Sequence, residues 1–84
     1  MDIVKGDLLT IEGVKYITLE ILNYESNNYA FVNKMTDEED ATEDFYIFKL
    51  LGDKINIITD DNLKNILIPE FQKLLQKDIE EIMR

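Results

Sequence analysis

The sequence predicts an α+β fold: a four- or five-stranded antiparallel meander, flat or curled in an SH3-like manner, followed by a C-terminal amphipathic helix kinked or broken near Pro69. Three observations carry this. The first two-thirds of the chain alternates short β-prone runs with turn signals. From Asp60 onward the apolar residues recur at steps of three and four. The connections between the β-prone runs are mostly too short for crossover helices. Strands gathered first and a helix last indicate segregated α+β layers. At 84 residues the chain makes one small domain, with strands over about 8–59 and the helix over about 61–83.

Lys5-Gly6-Asp7 is a turn signal ahead of the short run Leu8-Leu9-Thr10-Ile11, and Glu12-Gly13 turns the chain again. Val14 to Tyr24 is rich in β-branched and aromatic residues and reads as the longest strand. Strict alternation sets Ile17, Leu19 and Ile21 on one face and Val14, Tyr16, Leu22 and Tyr24 on the other. Glu25-Ser26-Asn27-Asn28 reads as a hairpin loop, because Asn tolerates left-handed backbone, and Tyr29–Lys34 as the returning strand. Asp37 to Asp44 holds six acids and no apolar periodicity, and is expected to be an exposed, mobile connection. Phe45–Leu51 is apolar on both parities and is expected to be a central strand covered on both sides. Gly52-Asp53 turns it into Lys54–Thr59.

In the helical section Asp60 or Asp61 can cap the first turn and complement the helix dipole. Leu63, Ile66, Leu67, Phe71, Leu74, Leu75, Ile79 and Ile82 form one apolar stripe, with Lys64, Lys73, Lys77, Asp78, Glu80 and Glu81 around it. Pro69 lacks the N–H that would bond the carbonyl of Asn65, so a kink or a break is expected there. Phe48 and Leu19 are expected to share one core with Phe71 and Leu74 from the helix.

Composition removes several classes of function. The chain has no His, Cys or Trp, so disulfide scaffolds, zinc sites with nitrogen or sulfur ligands, cysteine catalysis and histidine bases are all excluded. A chain this short buries only about 60–65% of the surface its unfolded form exposes. Eighteen Asp and Glu against nine Lys and Arg give a net charge of −9, which repels phosphate backbones and anionic lipid surfaces. No direct nucleic-acid contact and no membrane association are expected. The first seven residues lack a basic region followed by an apolar stretch, so no secretion signal is expected. Absence of cysteine fits a reducing cytoplasm.

The candidate constellations are few. An EF-hand loop wants acids at its first, third and fifth positions, Gly at the sixth and Glu at the twelfth. Counted from Asp37, those last three positions are Ala41, Thr42 and Phe48, and the motif fails. Ser26, the only serine, has no base to activate it, and Gly6, Gly13 and Gly52 are isolated turn residues that build no phosphate-binding loop. Paired carboxylates acting as acid and base need a deep cleft, which a small sheet with one helix seldom encloses. No enzymatic activity, cofactor or metal is expected. Tyrosine is enriched at interfaces, and Val14, Tyr16, Leu22, Tyr24 and Tyr29 form a candidate interaction patch on the sheet face that a single helix leaves uncovered. Asp37, Glu38, Glu39, Asp40, Glu43 and Asp44 form an alternative acidic surface.

Tyr29-Ala30-Phe31-Val32, the acidic connection, Phe45-Tyr46-Ile47-Phe48-Lys49, Gly52-Asp53 and a helix entered through Asp60-Asp61 follow one another in an order that resembles a family of small acidic bacterial proteins, domain-of-unknown-function family 1292. The likeness runs from about Ile17 to Leu75; the Lys5–Glu12 segment and the length of the helix depart from it. It implies the fold and a bacterial, cytoplasmic setting, and carries no site residues. The expected function is that of a non-enzymatic cytoplasmic interaction or accessory protein that binds another protein or a second copy of itself. The alternative is an acidic nucleic-acid mimic, phage-borne or carried by a mobile element, that inhibits a DNA-binding protein. The eight lysines weigh against mimicry.

Overall fold

The computed structural model describes residues 3–82, with side chains described for residues 3–79. The end of the helix expected at residue 83 lies outside the described residues. Five strands, β1 (Leu8–Ile11), β2 (Val14–Tyr24), β3 (Asn27–Met35), β4 (Ala41–Leu51) and β5 (Lys54–Ile57), precede one helix, α1 (Asp61–Ile82). The strands pair antiparallel in chain order, β1-β2-β3-β4-β5, and the sheet curls into a half-barrel.

Turn chemistry sets the meander. Glu12 and Gly13 both adopt positive φ between the paired ends Ile11 and Val14, and Glu25 and Ser26 do the same between Tyr24 and Asn27. Two central residues at positive φ make type I′ turns, whose twist matches that of the flanking strands. The β2–β3 loop is therefore two residues long, and Asn27 and Asn28 belong to β3. Gly52 alone is at positive φ in the Gly52-Asp53 turn that joins Leu51 to Lys54.

Two register shifts decide which side chains meet. In β2, Thr18 pairs with Val32 but Glu20 pairs with Phe31, so Leu19 is an extra residue that reverses the alternation. In β3, Asn33 pairs with Phe45 and Met35 with Ala41, which leaves surplus residues on β4. The buried side chain of Asn33 fills this irregularity: its Nδ2 donates to the carbonyls of Thr42 (2.8 Å) and Asp44 (3.0 Å). Thr42 Oγ1 donates to the Lys34 carbonyl at 2.6 Å. The run from Asp37 to Asp44 is accordingly no loose connection. Its first part is a turn in which Thr36 bonds both Glu39 and Asp40, and its second part is the start of β4.

Both faces of the sheet carry a core. On one side Tyr29 and Ile47 pack with Ile58 and with Leu67 and Phe71 of α1, bordered by Leu22, Tyr24, Phe31 and Leu63. On the other, Tyr16, Ala30, Val32 and Phe48 pack together inside the curl, bordered by Leu9, Ile11, Val14, Ile21, Tyr46, Leu50 and Ile55. Phe48 and Phe71, expected in one core, thus lie in separate clusters, because residues 47 and 48 of a strand point to opposite faces. Leu19 and Leu74 are half-buried and belong to neither buried set.

Asp60 caps α1: its Oδ1 accepts from the Asn62 N–H at 2.9 Å, and its carbonyl accepts from the Lys64 N–H at 3.0 Å. The helix continues through Pro69 as one element, so it does not break into two. Pro69 and Asn65 are both exposed, where water can satisfy the carbonyl that Pro69 leaves without a partner.

Candidate interaction surface

The five residues of the expected patch do not share a face. Val14 and Tyr16 precede the Leu19 bulge and belong to the cluster inside the curl, whereas Leu22, Tyr24 and Tyr29 belong to the helix-covered cluster. Tyr29 is 3% exposed and Tyr16 8%, so neither offers contact area to a partner. Strict alternation misassigned them because a one-residue bulge is invisible to a period-two count. The apolar residues on both parities of β2 are absorbed by two cores rather than one.

Large apolar side chains that do reach solvent lie elsewhere. Phe45 is 51% exposed, and its ring stacks on Phe31 with centroids 5.5 Å apart and planes 6° from parallel. Phe31 in turn lies 5.5 Å from Phe71 of α1, so a row of three rings runs from the helix-covered core to the surface. Ile66, Ile68 and Ile79 are exposed on the helix. Phe45–Leu51 was expected to be central and covered on both sides; β4 does lie between β3 and β5 with Ile47 in one core and Phe48 in the other, but Phe45 lies beyond the Phe48–Leu51 stretch that pairs with β5 and is exposed. The length of the neighbouring strand is not written in the residues of β4, which is why pattern reading missed this position.

The acidic residues border the same end of the sheet. Asp37, Glu38, Glu39 and Asp40 are exposed in the β3–β4 turn, and Glu43 and Asp44 are exposed on β4. Lys15 reaches across from β2: its Nζ donates to the Asp37 carbonyl at 2.9 Å and lies 3.8 Å from Glu39 Oε2. Among the described residues no group of three or more acidic side chains is arranged to hold a metal ion.

A second charged cluster joins three distant segments. Lys5 Nζ lies 3.3 Å from Oε2 of Glu20, next to the bulge, and hydrogen-bonds Oδ2 of Asp78 on α1. Glu20 is buried; its Oε1 accepts from the Ile21 N–H at 3.3 Å, while Oε2 has no aligned hydrogen bond. Burial pushes the Glu20 carboxyl above its ordinary range, and the neighbouring Asp78 adds to the rise. The Lys5 ammonium holds Asp78 below its ordinary range, and Lys5 itself is raised by its bond to Asp78. The cluster pins the N-terminal segment and the far half of α1 to β2. Its members are scattered through the sequence, and no local motif announces them.

Fold and surface together define a small acidic α+β protein, a curled antiparallel meander with one helix across a face and an exposed Phe45 ring, stacked on the half-buried Phe31, beside acidic residues. No helix of the described residues is long and apolar enough to cross a membrane. Compared with family models, with curated proteins and with solved structures, the chain matches none.

Proposed function

We propose that this protein is a non-enzymatic, cytoplasmic interaction module that binds a protein partner through the surface around Phe45. The observation that carries the reading is the half-exposed Phe45 ring stacked on Phe31. An aromatic ring already held by a neighbour loses little freedom on binding and offers large contact area. The acids of the adjoining turn and strand would form the polar rim that interfaces commonly show. Absence of cysteine supports the cytoplasmic setting. Mimicry of nucleic acid has less support, because Lys15 sits within the acidic run's own contacts and a mimic face must be nearly free of positive charge.

Affinity capture from bacterial lysate with wild-type protein and with Phe45→Ser tests this at low and high salt. Partners retained by the wild type and lost by the folded variant are the expected result. Identical captured sets would sink the Phe45 surface. Tyr24→Glu, which a patch on β2 would have recommended, perturbs packing beside the helix-covered core and so reports on folding.

A further inference from the structure

Among the described residues, the β4 segment that carries Phe45 has a backbone edge with no strand paired to it. Asn33 Nδ2 bonds the carbonyls of Thr42 and Asp44, so the backbone groups at those even positions point towards β3. On the opposite edge the Ile47 carbonyl accepts from the Ile58 N–H at 2.8 Å. Alternation then directs the N–H and C=O groups of Glu43 and Phe45 to that same outer edge. Among the described residues the outer neighbour, β5, pairs only with Phe48–Leu51, and the chain leaves the edge at Ile58 to enter α1. Glu43, Asp44 and Phe45 are all exposed.

From this we infer that the Ala41–Tyr46 edge of β4 accepts an extended, Lys- or Arg-rich peptide segment of a partner protein as an added antiparallel or parallel strand. The inference rests on the proposal that the Phe45 surface binds protein, and it names the chemistry of the partner. Strand addition draws affinity from main-chain hydrogen bonds and specificity from alternate side chains. Here the ladder is offered by Glu43 and Phe45, and an apolar residue of the incoming strand would lie beside the Phe45 ring. Charge selects the occupant. Six acids between Asp37 and Asp44 against one contacting lysine, Lys15, favour a basic strand. Two copies of the chain pairing through this edge would bring Glu43 and Asp44 against like charges, which is destabilising across strands. Acidic edges also protect sheets from unwanted pairing; that protection blocks a second acidic edge and leaves a basic one free to bind.

The full chain, ¹⁵N-labelled, is titrated with the peptide acetyl-Lys-Val-Lys-Val-Lys-Val-amide, its fully backbone-N-methylated counterpart, and the version with Glu for Lys. The expected result is binding of the first peptide with at least about tenfold slower hydrogen exchange at the Glu43 and Phe45 amides, and at least about tenfold weaker binding of the other two. Glu43→Pro removes an outward N–H that serves no bond to β3, so it should keep the fold and lose the peptide. Should that variant unfold, Glu43→Lys with Asp44→Lys supplies the check by placing like charges beside the incoming strand, and should weaken binding of the Lys peptide at least about tenfold. Equal binding of the N-methylated peptide, or no protection at Glu43 and Phe45, would overturn strand addition and leave charge attraction alone. Absence of any binding would leave the acids as edge protection only, and would equally overturn it. Loss of lysate partners on Phe45→Ser with none on Glu43→Pro would place binding on the aromatic face and refute the edge alone.

Discussion

Phe48 and Phe71 are both fully buried, yet the structure puts them on opposite faces of the sheet, in clusters that share no member. Truncating either to Ala should cost about 3–5 kcal/mol. Both together, about 6–10 kcal/mol, would remove most or all of the roughly 4–13 kcal/mol that a chain of this size holds at about 0.05–0.15 kcal/mol per residue. The milder Phe48→Leu and Phe71→Leu, at about 1–2 kcal/mol each, keep the double variant measurable. Substitutions in contact, or around one shared cavity, interact by about 0.5–3 kcal/mol, whereas independent sites add to within about 0.3–0.5 kcal/mol. Urea denaturation of wild type, both single variants and the double variant gives the interaction term directly. Additivity within that narrow band is the expected result, with an unchanged denaturant slope. A coupling above about 1 kcal/mol would show that the two rings share one packing unit and would refute the two-core arrangement.

Asn33→Ala should cost about 2–3 kcal/mol by leaving the Thr42 and Asp44 carbonyls without their shared donor, and thermal melts together with amide exchange at residues 41–45 would detect it. Glu25→Asn with Ser26→Gly should raise stability by about 1–2 kcal/mol, because both positions hold the left-handed backbone that L side chains resist; an unchanged urea midpoint would contradict the turn type. For pH, the raised Glu20 value means that folding disfavours its charged form, a penalty present at neutral pH and relieved as pH falls through that value. The lowered Asp78 value means stability present above its ordinary range and lost as pH falls through the lowered one, so the two together place the best stability of this cluster at roughly pH 4–5. Glu20→Gln should therefore gain on the wild type most at pH 7, with the gap closing towards pH 4; a gap that widens on acidification would reverse the sign of the argument.

Much of the fold is legible in the residues. Val14–Tyr24 shows itself as a strand through β-branched and aromatic content, Glu12-Gly13 marks a tight turn, and Asp60 ahead of the Leu63-Leu67-Phe71 spacing marks a capped, one-sided helix. These are local preferences, expressed within a few residues of chain. The candidate site is far less legible. Val14, Tyr16, Leu22, Tyr24 and Tyr29 look like one face only if the alternation of β2 is unbroken, and Leu19 breaks it.

The sequence by itself determined that this is a small acidic α+β protein without histidine or cysteine chemistry, because composition and periodicity act through side-chain type and backbone preference alone. Tertiary structure decided which parity of each strand meets the helix, where β5 ends against β4, and hence that Phe45 is left open while Tyr29 is enclosed. It also decided that Lys5, Glu20 and Asp78 meet. The physical reason is that register and strand overlap depend on pairing between segments far apart in the chain. A single inserted residue costs almost nothing in local propensity, yet it exchanges the two faces of everything that follows.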